Sequence, residues 1–560
     1  LLDVAEESRL TYDRAMKVLT AAQMREVDRL TTERHGVPGI QLMESAATRV
    51  VEETEKRLGS LRAQRALVIC GKGNNGGDGA AIARRIHAIG ANVRLLLLGT
   101  VAETAGDART NFERVLELSV KHPANFAFIE VQSVDKLTSD IGAAPYDVCF
   151  DAMLGTGLTR PASGLIESAI ELLNERRSAS TIVAVDIPSG IPSDSAELIG
   201  PAVRAHFTVT FTAPKIGSVL PPAAYCGGEL VVADIGSPSE LVNSCGSRLT
   251  LVELQTVSSW LDASRRNADA NKGDAGKVLI VAGSRGKTGA ASLCGEAALR
   301  SGTGLVTVAA PESSQPVIAS ANIPECMTEA LPETPAGSIS GDAIDRALEL
   351  AAARDVIAVG PGLGSSEPST RDFVVEFVEA RERPMVLDAD ALNSLAPWPD
   401  SLTGNPRLPL ILTPHPGEMA RLVSEDDVSE VLRYRIEIAH EFATTHRVIL
   451  VLKGSRTLIA SPDGEVYINP TGNAGMATGG TGDVLTGMIA GLLAQKRDDA
   501  LNATIAAVYL HGLAGDIAAS RIGTRAMIAS DVIACLGEAF IEAGGGAERL
   551  IRQTPRTPNQ

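Results

Sequence analysis

Aromatic side chains are scarce in this 560-residue chain, at 3% of the total. A β-sandwich relies on such rings to fill its core. Their scarcity, beside 53 glycines and long alanine-rich stretches, points instead to strands alternating with closely packed helices. Cysteines number seven (Cys70, Cys149, Cys226, Cys245, Cys294, Cys326 and Cys535), all scattered singly, with no CxxC pair. That excludes a zinc cage and a disulfide framework and reads as small buried hydrophobes in a reducing compartment. No run reaches the roughly 18 apolar residues of a membrane span. The stretch from Leu1 to Arg14 is mixed and acidic, without the apolar centre of a signal peptide, so the expectation is cytoplasmic. Positive charge is in deficit as well. A net charge of −17 argues against a general nucleic-acid or membrane-surface binder, while leaving room for a nucleotide held by local N–H groups and one or two cations.

The length predicts two to four domains. In the first half, short apolar runs end in Gly, Asp or Thr: Ala66 to Cys70, Val93 to Leu98, Asp147 to Phe150, Ile182 to Val185 and His206 to Phe211. Continuous apolar runs between helical segments predict a parallel sheet covered on both faces, with ligands outside the carboxyl ends of the strands. After Leu230 to Val232 a polar stretch intervenes. The pattern then restarts with Lys277 to Ala282, Leu305 to Ala309, Val356 to Val359, Met385 to Leu387, Leu410 to Leu412 and Val448 to Leu452. The expectation is α/β throughout: two three-layer αβα domains over 1–245 and 246–550, and a disordered tail over 551–560.

The segment from Asn469 to Asp483 is the most informative. Five glycines and one carboxylate lie between Gly472 and Asp483, followed by a helical apolar stretch from Val484 to Leu493. Backbone N–H groups at such a helix start suit phosphate, and glycine permits close approach. A carboxylate there repels phosphate, which makes sense if Asp483 takes the proton from a hydroxyl that attacks a phosphoryl group. The plain alternative is that Asp483 caps the helix.

A second glycine segment, Gly71-Lys-Gly-Asn-Asn-Gly76, fits the Gly-x-Gly-x-x-Gly of dinucleotide folds, yet the ribose-binding acid at the end of the next strand is missing, since Leu98 runs into Gly99-Thr100. Its Asn74, Asn75 and Asp78 suit a polar ligand or a hard cation. Asp151 with its Gly155/Gly157 loop and Asp186 with Pro188 and Ser189 fall on the same sheet edge. One such Asp reads as a helix cap; three loops together read as a functional site.

These residues resemble a known family. Asn74-Asn-Gly-Gly-Asp-Gly79, Asp151-Ala-Met-Leu-Gly-Thr-Gly157 and Val185-Asp-Ile-Pro-Ser-Gly190, with Glu44-Ser-Ala46, are similar to the signature segments of the NAD(P)H-hydrate epimerase domain over about residues 14–235. The resemblance implies a Rossmann-like fold. The hydrate would be held by Asn74, Asn75, Gly76, Gly77 and Asp78, and by Gly155, Thr156, Gly157, Leu158, Thr159, Arg160 and Pro161. A potassium ion would sit on Asn75, Asp151 and Ser189, with Asp186 as the proton-transfer group. Lys72 stands where many relatives have proline.

The second half resembles the ADP/ATP-dependent NAD(P)H-hydrate dehydratases of the ribokinase-like superfamily. The resemblance rests on Ala282-Gly-Ser284, Gly360-Pro-Gly-Leu-Gly364, Leu387-Asp-Ala-Asp-Ala-Leu-Asn393, Thr413-Pro-His-Pro-Gly-Glu418, Lys453-Gly-Ser-Arg-Thr457 and Gly480-Thr-Gly-Asp483. It implies that Ala290 (or its neighbour Ala291), Gly364, His415 and Asp483 touch the hydrate, and that Lys453, Gly454, Ser455, Arg456, Thr457 and Gly482 hold the nucleotide. Magnesium and ADP or ATP are implied, ADP fitting the single-chain fusion. Asp388 and Asp390 read equally as structural or as water-mediated metal ligands. Gly283 to Thr288 is no P-loop, because the first glycine would have to be Val281. The implied substrates are the hydrates NADHX and NADPHX, handled by a homo-oligomer with no nucleic acid and no membrane. The rivals are a ribokinase-type kinase fused to a regulatory domain, a first half that only binds a ligand, and an NAD dehydrogenase.

Overall fold

The computed structural model describes residues 16–141, 145–321 and 323–544; the tail expected over 551–560 and the stretch from Leu1 to Arg14 lie outside them. The chain divides into two compact units between Thr250 and Leu251.

In the first unit the strands are β1 (Arg65–Cys70), β2 (Asn92–Leu98), β3 (Phe126–Val131), β4 (Val148–Ala152), β5 (Thr181–Val185), β6 (Phe207–Phe211) and β7 (Glu229–Ala233). They form a wholly parallel sheet in the order β3-β2-β1-β4-β5-β6-β7. Alternate residues separate to the two faces, as the period of two demands. Ala66, Val68 and Cys70 pack with helices Gly39–Leu58, Asn74–Ile89 and Gly106–Lys121. Leu67 and Ile69 pack with Ile170 and Leu173 of helix Leu165–Arg176 on the other side. Strand order reverses between β1 and β4, and there the crevice opens.

The second unit repeats the plan with β8 (Lys277–Val281), β9 (Leu305–Pro311), β10 (Met327–Leu331), β11 (Val356–Val359), β12 (Met385–Leu387), β13 (Leu410–Leu412), β14 (Ile449–Leu452), β15 (Leu458–Ala460) and β16 (Val466–Ile468). Their order is β10-β9-β8-β11-β12-β13-β14-β15-β16, parallel up to β14 and antiparallel after it. Val278 and Ile280 face a core shared with helices Thr288–Arg300, Thr481–Gln495 and Ala500–Ile522; Leu279 and Val281 are equally buried on the opposite face. Helix Thr481–Gln495 is buried along nearly all of its length, so the Asp483 end is anchored by the core. Among the described residues no helix is long and apolar enough to cross a membrane. All seven cysteines are free thiols, six buried and Cys245 partly exposed.

The first crevice depends on backbone packed against backbone. A Cβ on Gly76 would lie 1.8 Å from the carbonyl oxygen of Gly71, and one on Gly79 would lie 2.6 Å from both the Ala152 Cβ and the Cys70 Sγ. Glycine is a poor helix former, and its presence here is the cost of seating helix Asn74–Ile89 on β1 and β4. Gly76→Ala is expected to lower unfolding free energy by about 2–4 kcal/mol, through overpacking against rigid backbone. Urea denaturation followed by circular dichroism checks this; an unchanged midpoint would refute the packing account.

Candidate active sites

In the first unit, the ends of β1, β4, β5 and β6 surround a cavity of about 740 Å³, lined among others by Asn74, Asn75, Asp78, Gly155, Asp186 and Lys215. Asp151, fully buried at the end of β4, accepts from Ser189 Oγ at 2.5 Å and from Ser189 N at 2.7 Å. Burial pushes its carboxyl up to about 6, against the lowering effect of those bonds. Ser189 Oγ also accepts from Leu154 N at 2.9 Å, and Asn75 Nδ2 donates to Leu154 O at 2.8 Å. The other amide atom, Asn75 Oδ1, is buried without a partner. A carboxylate, a hydroxyl and an amide oxygen with its lone pairs unspent suit a hard cation with oxygen ligands.

Asp186 holds a left-handed backbone (φ +67), a conformation rare outside glycine and typical of functional sites. Its Oδ1 stands 2.5 Å from Lys215 Nζ and accepts from Thr210 Oγ1 at 3.1 Å. Lys215 is 1% exposed, a buried ammonium that also donates to Thr210 Oγ1 and Phe211 O. Asp28 and Asp78 also line the cavity. Burial first, then Asp186 and Asp28, raise Asp78 well above the carboxylate range; burial raises Asp28 to about 6, against Lys215. The arrangement therefore offers an acid beside a fixed lysine, with a second acid, Asp78, whose proton is held by burial: a candidate base and a candidate proton donor in one pocket.

In the second unit, Lys453 follows β14 and points its Nζ to Asp388 Oδ1 at 2.7 Å, with Glu418 Oε2 at 3.8 Å. Asp388, 1% exposed, accepts on its other oxygen from Thr486 Oγ1 at 2.7 Å. Thr486 lies three residues after Asp483 on the same helix, so this carboxylate ties the lysine to that helix. A Cβ on Gly482 would stand 3.4 Å from Lys453 Nζ. Burial pulls the Lys453 ammonium down, but Asp388 and Glu418 outweigh it and hold the group above its ordinary value. Asp483 is the third residue of helix Thr481–Gln495, whose cap is Gly480 in a left-handed conformation (φ +96), not an acidic side chain. Burial, then Asp388, Asp390 and Glu418, push Asp483 up to about 7 against Lys453, with no hydrogen bond contributing.

Residues 39–217 match the family described as YjeF-related protein N-terminus, and residues 278–537 match the family described as NAD(P)H-hydrate dehydratase. The bifunctional NAD(P)H-hydrate repair enzyme Nnr of Moorella thermoacetica is 46% identical over 92% of this chain and 95% of its own length. The chain belongs to this family of bifunctional repair enzymes. The same enzyme of Escherichia coli is 36% identical over 84% of each chain. A crystal structure of the ADP/ATP-dependent NAD(P)H-hydrate dehydratase of Bacillus subtilis, co-crystallised with ATP/Mg2+, is 34% identical and covers 51% of this chain and 97% of that one, with a TM-score of 0.44.

Not every residue singled out from the family motifs lies at a site in the same way. Asn74, Asn75, Asp78, Gly155, Thr156, Gly157 and Asp186 line the first cavity, whereas Gly76 and Gly77 pack into the fold and Leu158, Thr159, Arg160 and Pro161 lie off the lining. His415 caps helix Pro416–Leu422, its Nδ1 accepting from Gly417 N at 3.0 Å and Glu418 N at 3.2 Å. Asp390 Oδ2 accepts from Gly364 N at 2.8 Å and faces Lys287 Nζ at 3.2 Å, which fixes the Gly364 loop. Arg435 holds the loop after Lys453 through the carbonyls of Ser455 and Arg456. Lys215, Asp28, Glu418 and Thr486 were missed by sequence reasoning. Lys215 carried a signal, since it sits just past β6 on the sheet edge already marked by Asp151 and Asp186, and so did Glu418, which closes the motif that begins at Thr413.

The raised Asp483 has a stability consequence. Its folded pKa of about 7 exceeds the unfolded value of ~3.9, so its favourable contribution is complete below the lower value and is lost as pH rises through the higher one. Asp483→Asn should therefore be more stable than the wild type at pH 8, by up to about 4 kcal/mol, with the gap closing toward pH 4. Denaturant titrations across that range measure it; a gap independent of pH would contradict the burial of an ionised Asp483.

Proposed function

We propose that this chain repairs hydrated NADH and NADPH in the cytoplasm, the first unit interconverting the R and S hydrates and the second converting the S hydrate back to the dihydronicotinamide at the expense of ADP. The observation that supports this reading most directly is the Lys453–Asp388–Thr486 chain, which sets a phosphate-binding cation beside a carboxyl, Asp483, held near neutrality.

In the first unit, the carbon to be inverted carries a hydroxyl next to the ring nitrogen. Proton donation from Asp78, the cavity acid raised well above the carboxylate range, lets the hydroxyl leave as water while the nitrogen lone pair stabilises the carbon. Water returns on the other face, and Asp186, oriented by Lys215, takes its proton. No redox step is required. Asn75, Asp151 and Ser189 would hold a potassium ion, whose charge would help to order the loops around the hydrate; the unpaired Asn75 Oδ1 supports that fit.

In the second unit, Asp483 takes the proton of the hydrate hydroxyl as it attacks the β-phosphorus of ADP, releasing AMP. Lys453 offsets the growing charge, and the N–H groups of Gly482 and its neighbours receive the transferred group. The phosphorylated carbon then loses phosphate with the help of the ring nitrogen. Loss of a proton from the adjacent carbon restores the conjugated double bond. Magnesium would supply charge neutralisation on the phosphates. With Asp388 and Asp390 already engaged by lysines, it would be held chiefly by phosphate oxygens and water.

Mixed hydrate epimers supplied with ADP should be converted completely, read as dihydronicotinamide absorbance. Asp186→Asn should leave a fast first phase and a slow second one. Asp483→Asn should reduce dehydration by about 10²-fold or more. Full activity in that variant would remove Asp483 as the base, and a stable phosphorylated product would favour a kinase. The dehydration rate should climb with pH through about 7 as Asp483 loses its proton. Replacing potassium by a large organic cation should slow epimerisation and spare dehydration of the pure S hydrate; equal slowing of both would discredit the ion site.

A further inference from the structure

Next to the first cavity lies a second one of about 530 Å³, over the carboxyl ends of β1, β2 and β3, lined by Lys72, Leu98, Gly99, Thr100, Glu103 and Gln132 among others. Lys72, Leu98 and Ile166 line both cavities, so the two adjoin. Lys72 Nζ donates to Glu103 Oε1 at 2.9 Å, while Glu103 Oε2 accepts from Thr100 N at 2.9 Å and from Thr100 Oγ1 at 3.2 Å. Each side chain of the pair is about half exposed, 49% for Lys72 and 47% for Glu103, and both are open to a ligand. Gly99 (φ +137) lies beneath them, where a Cβ would come 2.7 Å from Lys72 Cδ and 2.9 Å from Glu103 Oε2.

The topology says which part of a dinucleotide reaches this place. With the reacting ring at Asp186 after β5 and the glycine loop after β1, the next strand outward is β2, three strand spacings or about 14 Å from β5. In a sheet of this order the group at the end of the second strand meets the adenosine ribose. The ribose-binding acid that is missing from the end of β2 itself is supplied five residues later by Glu103, which the turn Val101–Glu103 brings back over Gly99.

We propose that the Lys72–Glu103 pair forms the adenosine-ribose subsite of the first unit and lets it accept both hydrates, Glu103 taking the ribose 2′-hydroxyl of the NADH form and Lys72 the 2′-phosphate of the NADPH form. This rests on the assignment of hydrate epimerisation to the first unit. A free 2′-hydroxyl donates to the carboxylate, which has lone pairs left after its bonds to Thr100 and Lys72. A 2′-phosphate draws the ammonium off Glu103, and the lysine, a compact charge on a flexible stem with three donors, can follow it. Glu103 stays held by Thr100 in either case. Because the pair is exposed and screened, the discrimination is modest and falls with ionic strength.

The test uses the full chain without ADP, so that only epimerisation proceeds, followed by chromatography of the separated R and S hydrates of NADH and of NADPH. Lys72→Ala should raise KM for the NADPH hydrate by about fivefold and that for the NADH hydrate much less; Glu103→Gln should raise KM for the NADH hydrate and not the other. Adenosine 2′,5′-bisphosphate should inhibit wild type more strongly than AMP, and Lys72→Ala should erase that preference. Equal shifts for both hydrates, or none, overturn the subsite. Failure of the wild type to epimerise either hydrate overturns the functional reading, and the subsite with it. Circular dichroism of both variants separates these results from misfolding.

Discussion

The second site depends on a buried ion pair, Lys453 with Asp388, and on the threonine that holds the carboxylate from behind. An isolated ammonium in that position would lose its proton, and an isolated carboxylate would gain one. Pairing with Asp388, with Glu418 close by, holds the lysine above its ordinary value in spite of its burial. The same carboxylate, together with Asp390 and Glu418, makes ionisation of Asp483 costly. One arrangement thus does two opposed things: it keeps a cation charged and brings a neighbouring acid up to about 7.

The first unit solves a similar problem with different parts. Lys215 and Asp186 form the buried pair, and burial and like charge raise Asp78 well above the carboxylate range and Asp28 to about 6. Both units place their pair at the carboxyl edge of a parallel sheet, where loops can vary without disturbing the core. In each, glycines let backbone or ligand approach where a side chain would collide.

The central strands were legible because residues buried on both faces make unbroken apolar runs, and Val356–Val359, Met385–Leu387 and Leu410–Leu412 match their expected ranges. Phe126–Val131 and Met327–Leu331 were overlooked because they carry Glu130 and Glu329 and lie at sheet edges, half exposed, where no run is required. The three-residue strands Leu458–Ala460 and Val466–Ile468 are too short for any periodicity. At the sites, glycine loops and their terminal acids stood out, while a partner such as Thr486 did not. A threonine in a helix looks the same in sequence whether it braces a carboxylate or merely fills space. Its role exists only once residues a hundred positions apart have been brought together.

The cysteines, read first as filler for the core, have a consequence for how long the enzyme lasts. Thiolate is the form that oxidants and electrophiles attack, and burial raises Cys70 and Cys294 well above the ordinary thiol range and Cys326 to about 12. Cys245 is the one cysteine that is not buried. A protein that repairs damaged cofactors works where reactive chemistry is under way, and this one keeps almost all of its sulfur out of reach, leaving a single natural position for a thiol-directed label.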